Sequence, residues 1–553
     1  MPRRLSPVKA GVSALSTALV VVLTLVSCTA DPAPTPSPST STASRTFTFG
    51  TTSDPAGLDP ALVTDVDSNR VVRQIFEGLV TVDPVTGDPA PALATSWNSL
   101  SNGLGYEFTL RENVRFQDGQ PFNAAAVCAN FNRWFSYPVQ KSPGSIPSAF
   151  KDLFRTFSND AKNSFFKSCT ANSEFKVTIA LNLALTSFLA ALTQPAFSIA
   201  SPAALVSETA NLLDQKQGAY AVSKFALKPV GTGPYKLSSW KDGTVTLVQN
   251  PEYWGDKGQI QTIHFVTYTQ SQARLRALLT GKIDGYDFVT KDNFDALIKN
   301  GQQVQQRDPF SVMYLGINQQ IPVLADLKVR QAIAKAIDKD ALIRSYFAEG
   351  SSATNQFIPP KLSGFNNQVP SAGYDPQEAR KLLSESSYKG QQLKFYYPLD
   401  VTRPYMPTPE KIYADISAQL IAIGLNIKPV PVDWSDNYLG KVTSPGDHAF
   451  HLLGLNGSYS DPDNFVGPLF GATNSEFGPA DAQLTSKIDR AKALPNGNER
   501  NEAYQSINSD IAQTIPAVPI AFPISSLALS PRVTSYPVSP VLNEVFNKIT
   551  LSS

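Results

Sequence analysis

The chain has 553 residues, 42% of them hydrophobic and 17% charged, with 47 basic against 46 acidic side chains. So even a balance leaves no basic footprint for nucleic acid, and the composition, with 43 prolines, is that of a loop-rich globular body. Roughly 500 residues downstream of the N-terminal region exceed what one hydrophobic core usually reaches, so two or three lobes are expected.

The N-terminal segment carries Arg3, Arg4 and Lys9, then an apolar run from Gly11 to Val26, and ends on Leu25-Val26-Ser27-Cys28. This is the layout of a bacterial lipoprotein signal, in which the residue after the cut is a lipid-bearing cysteine. The alternative is an ordinary secretory signal beside a chance cysteine. The run is shorter than the roughly 20 residues a spanning helix needs. Residues 1–27 are therefore expected to be a signal peptide and Cys28 the lipidation site, holding a water-soluble body on the extracytoplasmic face of the bacterial membrane through its lipid anchor alone. From 28 to 44 alternating proline followed by Ser/Thr reads as a solvated tether, with almost nothing apolar to bury. The remaining cysteines, Cys128 and Cys169, sit in an exported chain with no third partner. One disulfide between them is expected, the alternative being two buried free thiols.

Along the body, Tyr106 to Leu110 and Val245 to Val248 alternate as strands do, and Val114 to Phe116 reads as a strand followed by a turn at Asp118-Gly119 with Pro121. Gly231 and Gly233 suit a tight turn with permissive backbone angles. Asp326 is placed to cap a helix bearing Val329, Ile333 and Ile337 on one face. A helix from about Glu410 puts Ile412, Ile416 and Leu420 on one stripe and stops at Gly424, and a strand from Leu425 to Val432 follows. Such alternation predicts α/β lobes.

Catalytic signatures are missing: there is no Gly-x-Ser-x-Gly elbow, phosphate loop or His-Glu-x-x-His. Of three histidines, His448 and His451 introduce a strand, where residues three apart point to opposite faces, so they are not expected to share a metal. No catalytic residue, metal site or cofactor is assigned, and the chain is not expected to be an enzyme. A secreted hydrolase or metal-capturing protein is the rival class; it lacks a nucleophile motif and a histidine cluster.

Ordered segments spread over the body carry a family resemblance: Phe76-Glu-Gly-Leu-Val80, Pro91-Ala-Leu-Ala-Thr-Ser-Trp97, Val114-Arg-Phe-Gln-Asp-Gly-Gln-Pro-Phe122, Pro229-Val-Gly-Thr-Gly-Pro-Tyr235, Asn250-Pro-Glu-Tyr-Trp-Gly255, Gly281-Lys-Ile-Asp-Gly285, and Tyr314-Leu-Gly-Ile-Asn318 before Val329-Arg-Gln-Ala-Ile333. The chain thus resembles the family 5 extracytoplasmic solute-binding proteins of ABC importers, which include dipeptide-, oligopeptide- and nickel-binding proteins. The resemblance implies a two-lobed periplasmic-binding-protein-like α/β fold closing by hinge motion on a solute, a monomer working with a membrane permease and an ATPase supplied by other chains. It implies a first lobe from 45–77, 230–308 and 522–553, an inserted subdomain at 78–229 holding both cysteines, and a second lobe at 309–521.

Two places bear on the solute. Val401-Thr-Arg-Pro-Tyr-Met-Pro407 is similar to the segment from which dipeptide binders present an arginine to the peptide carboxylate, here Arg403; a solvated loop or a structural ion pair is the other reading. Gly454-Leu-Asn-Gly-Ser-Tyr-Ser-Asp-Pro-Asp-Asn-Phe465 is similar to a segment in which a tryptophan precedes an aspartate that takes the ligand's α-ammonium. This chain has Leu455 and Ser458 there. Leaving a buried charge without its partner costs about 3 to 5 kcal/mol, so either a peptide's ammonium is read elsewhere or the solute is an acid without a free α-amine, such as a blocked peptide or an opine- or sugar-phosphate-like molecule. Asp461 and Asp463 are expected to cap a turn, with Asp54 and Asp436 more remote candidates. The expected ligand-binding set is Arg403, Leu455, Asn456, Gly457, Ser458, Tyr459, Tyr397 and Trp434, with Tyr396 and Tyr405 near them.

Overall fold

The computed structural model describes residues 45–552 except 84–86, 101–102, 140–145, 472–473 and 475. The leader, Cys28 and the tether at 28–44 lie outside the described residues. Among the described residues no helix is long and apolar enough to cross a membrane.

Two mixed sheets organise the two-lobed body. The first has seven strands in the spatial order Tyr235–Lys241, Thr244–Gln249, Thr262–Thr267, Thr46–Thr51, Gly285–Asp287, Ser525–Leu529 and Gln303–Arg307. Its parallel pair sets Phe49 beside Phe265, and these rings pack with Phe47, Tyr536 and Phe546 into one core. The second has six strands in the order Ser352–Ala353, Ala517–Phe522, Ser311–Ile317, Phe450–Asn456, Gln392–Leu399 and Asn426–Asp433. Every residue of its central strand Ser311–Ile317 is buried, which explains why that segment is nearly continuously apolar after Ser311 instead of alternating. Gln392–Leu399 and Asn426–Asp433 run parallel, and the crossover that parallel strands require is the helix Pro409–Ala422. The chain passes from the first sheet to the second at 308–310 and returns at 523–524.

A four-stranded antiparallel sheet, in the order Ala94–Ser99, Gly105–Leu110, Lys176–Leu181 and Phe166–Ser173, builds a separate aromatic core with helix Ala124–Phe135. Cys128 of that helix is bonded to Cys169 of the outer strand.

Three of the ordered sequence segments converge on one carboxylate. Glu77 accepts hydrogen bonds from the Thr232 hydroxyl at 2.7 Å, the Tyr253 hydroxyl at 2.8 Å and the Trp254 indole at 2.8 Å. Burial pushes the carboxyl up and the three donors oppose it. Arg111 lies over the Trp254 ring at 4.3 Å.

Local predictions fare unevenly. Asp326 caps helix Leu327–Ala336 through the Lys328 amide. The helix at 409 ends before Gly424, whose φ of 106° suits glycine. The other glycines differ from expectation. Gly231 and Gly233 do not have positive φ; instead, a Cβ on Gly231 would stand 2.2 Å from the Ile75 carbonyl oxygen, and one on Gly233 2.7 Å from that of Gln74. Glycine is needed there for close approach to the end of helix Val66–Ile75. Val114 to Phe116 forms no strand, only a bridge from Arg115 to Pro121 around the turn at Gly119.

Candidate functional site

A cavity of about 240 Å³ lies in the cleft between the lobes. The chain before residue 200 supplies Thr64, Asp65, Asn69, Ser148, Asp152 and Gln194 among others, and the chain after residue 400 supplies Arg403, Tyr405, Trp434, Leu455, Asn456, Ser458, Tyr459 and Asn464. Its volume falls just below the usual range of ligand pockets, about 300 to 1,000 Å³.

Arg403 is positioned by a four-residue turn. Its amide and that of Met406 exchange hydrogen bonds with each other's carbonyls at 3.0 Å, and Pro404 presets the φ that such a turn wants at its second position. The side chain is 2% exposed. Its guanidinium carbon lies 3.9 Å from the centre of the Trp434 ring. Nη1 donates to Asp67 Oδ2 at 2.8 Å and Nη2 to the Ser53 hydroxyl at 3.2 Å. Nε is buried and unpartnered among the described residues. Arg403, expected to face a solute carboxylate, is thus held by a carboxylate of the other lobe.

Asp67 stands in the first turn of helix Val66–Ile75, where a negative charge is favoured by the helix dipole. The Thr52 and Ser53 hydroxyls donate to its Oδ2 at 2.8 and 2.7 Å. Burial raises its carboxyl, but Arg403 and the two hydroxyls outweigh burial and hold it below the usual range. Asp65 is the N-cap of the same helix, its Oδ1 accepting from the Ser68 amide at 2.8 Å. Burial pushes the Asp65 carboxyl up; Arg403 opposes this and Asp67 adds to it. Neither Asp65 nor Asp67 is distinguished by local sequence. Only its N-cap position before Val66 marks Asp65, and the partner of Arg403 is 336 positions away.

On the second lobe, the Asn464 side-chain oxygen accepts from the amides of Ser458 at 2.7 Å and Tyr459 at 3.3 Å, fixing that loop. Gly457 does not line the cavity; its amide donates to the Phe310 carbonyl at 2.8 Å, and a Cβ there would stand 2.3 Å from the Phe310 ring. Tyr397 is also outside the lining, stacked on Tyr413 with centroids 3.7 Å apart, and Tyr396 donates to Asp447. Asp461 Oδ1 accepts from the Asp463 amide and from Arg500, both at 2.9 Å. Asp54 is taken by Trp240 and Gln217, and Asp436 by Lys441.

The histidines differ from the strand argument. His448 precedes the strand, so its ring meets that of His451 at 5.2 Å instead of pointing away. His451 Nε2 lies 2.7 Å from Glu476, which also accepts from Tyr314 at 2.8 Å. Among the described residues no group of three potential ligands is placed to hold a metal.

The cleft, its two sheets and the two crossings are those of a solute-binding protein, and a sequence profile of the bacterial extracellular solute-binding proteins, family 5, matches residues 88–477. The chain belongs to that family. It is 28% identical over 518 residues to the heme-binding protein A of Haemophilus influenzae, covering 92% of each chain. It is 27% identical to the dipeptide-binding protein of Escherichia coli, covering 92% of this chain and 94% of that one. Among solved structures it is similar to an ABC transporter-associated periplasmic binding protein of Helicobacter pylori in complex with the peptide STSA, with a TM-score of 0.82, 26% identity, and coverage of 92% and 98%. Family 5 proteins bind solutes and are not enzymes.

Proposed function

We propose that this protein is the lipid-anchored solute-binding subunit of an ABC importer, tethered through Cys28, that encloses a small peptide or peptide-like solute between its lobes and delivers it to a membrane permease driven by a separate ATPase. The observation that carries this reading is a cavity bordered by contacts between the lobes. Arg403 meets Asp67 at its rim, Arg274 Nη2 donates to Thr402 at 2.8 Å, and Arg155 pairs with Asp489 at 3.0 Å on the far side. With the chain crossing between sheets at only 308–310 and 523–524 among the described residues, these contacts support a closed state reached by rotation about two short segments. Relatives named for dipeptides and solved with a peptide support the solute class, and the cavity volume favours the short end of it.

A melting experiment with alanyl-phenylalanine tests the reading. Ligand at about a hundred times its dissociation constant stabilises by about 2.7 kcal/mol; a rise in melting temperature, with a smaller radius of gyration by solution scattering, is expected. No shift with any di- to pentapeptide would remove peptides as the solute. For the anchor, Cys28→Ser is expected to move the protein from the membrane to the soluble fraction.

A further inference from the structure

A tyrosine carried by the six-stranded sheet is buried in another body's core. Tyr459, on the loop after strand Phe450–Asn456, is 6% exposed and packs in the aromatic core of the four-stranded sheet, and it also lines the cavity. Close by, helix Ala482–Ala493 ends against the same body. A helix end leaves its last carbonyls unpaired, and here Thr186, next to Leu185 of that aromatic core, reaches across to them. Its amide donates to the Lys492 carbonyl at 3.1 Å and its hydroxyl to that of Leu494 at 2.6 Å. Lys492 Nζ in turn reaches the Asp152 carbonyl at 3.4 Å and Asp463 Oδ2 at 3.5 Å, and Arg155 pairs with Asp489 at 3.0 Å. These contacts run into both walls of the cavity. Helix Ser148–Phe154, which ends at Arg155, lines it through Ser148 and Asp152, while Asp463 precedes Asn464, whose side chain holds the Ser458 and Tyr459 amides.

Resting on the reading of this cavity as the solute site, we propose that the body built on the four-stranded sheet is a latch on cleft closure: Tyr459 seated in its core and Thr186 capping helix Ala482–Ala493 hold the closed state, and both let go when the cleft opens. No segment of the described chain passes directly from that body to helix Ala482–Ala493, so contacts alone join them. Arg403 is placed differently, since it and Pro404 share a small pocket with Pro523 and Ile524 of the second crossing. A rotation about the crossings moves groups beside them least and groups joined only across the cleft most. The hydrogen bonds of Thr186 and the partly exposed Arg155–Asp489 pair are individually modest interactions, which suits a contact that forms and breaks. Because Tyr459 and Asp152 also line the cavity, a solute touching both favours the latched state over the open one.

The test compares the whole parent chain with the double variant Thr186→Val, Arg155→Gln by solution scattering and hydrogen exchange, both without solute. The variant is expected to have the larger radius of gyration and to exchange amides at 148–155, 183–196 and 486–494 at least about threefold faster, the effect of losing one hydrogen bond and one ion pair that hold a local opening shut. Lys328→Gln, which breaks the exposed Lys328–Glu385 pair inside the six-stranded body, is expected to change neither. With alanyl-phenylalanine bound, dissociation from the double variant is expected to be at least about threefold faster than from the parent. A double variant that melts lower but keeps the parent's radius of gyration and exchange would make these contacts static packing and overturn the inference, as would an equal effect from Lys328→Gln. Were the peptide not to bind, the peptide reading would fail, while scattering and exchange, which need no solute, would still decide the latch. Should the double variant not fold, Arg155→Gln alone, at a side chain 38% exposed, is read in the same way.

Discussion

Two buried charge clusters in this molecule are built from the same residue types and do different work. Within the first lobe, Arg70 and Arg307 both reach Asp287 and Glu544, with Arg307 at 2.5 Å from each, and Tyr536 donates to Glu544 at 2.8 Å. Two bases meet two acids, all nearly inaccessible. Across the cleft, Arg403 donates to Asp67, and its Nε is left unpartnered among the described residues. The balanced cluster sits where the strand Gln303–Arg307 leads into the first crossing, and it lies wholly inside one lobe. The second cluster joins residues far apart in the chain and borders the cavity. A closed network holds its own surroundings together, whereas a charge pair across the cleft ties one side of it to the other.

The comparison breaks most visibly at Arg307. Arg307→Met leaves two buried carboxylates to Arg70 alone and should cost about 3 to 5 kcal/mol in urea unfolding; a loss under about 1 kcal/mol would show that the cluster is not the closed network described. Removing the disulfide by Cys128→Ser, which frees a separation of 41 residues, should cost about 4 kcal/mol by loop entropy, and unlike Arg307→Met the loss should disappear when both proteins are compared under reducing conditions. His448 gives the pH dependence. Burial chiefly, with help from His451, pushes its imidazole down from 6.5 to about 4. The unfolded chain therefore binds the extra proton first, so stability is full above about pH 6.5 and falls by about 2 to 3 kcal/mol as pH drops through 4; His448→Gln should flatten that slope. Asp67→Asn should cost less than Arg307→Met, about 1 to 2 kcal/mol, because Asp65 remains to face the guanidinium. A loss as large as that of Arg307→Met would mean that Asp65 does not share the arginine. Smallest in stability is Asp65→Asn, within about 0.5 kcal/mol, because asparagine caps a helix about as well as aspartate.

What the chain reveals in one dimension divides along the same line. The helices after Asp326 and Glu410, the Cys128–Cys169 bridge and the scaffold segments are legible because periodicity, capping and spacing are local signals. Those segments make sense together only in three dimensions, where Thr232, Tyr253 and Trp254 converge on Glu77. The arginine of the Val401 to Pro407 segment is found from sequence, but its partner is not, since nothing near Asp67 marks it as a counter-ion for a residue 336 positions on. Gly231 and Gly233 mislead for a similar reason: a glycine kept for close packing looks the same in sequence as one kept for its backbone angles. His448 and His451 are misjudged because the strand starts only at Phe450.

The most direct measurement is a crystal structure of the protein with alanyl-phenylalanine bound. The peptide is expected in the cavity bounded by Asp65, Arg403, Trp434 and Ser458, with Arg403 still paired to Asp67. A structure with that cavity empty and the peptide bound elsewhere would contradict this reading.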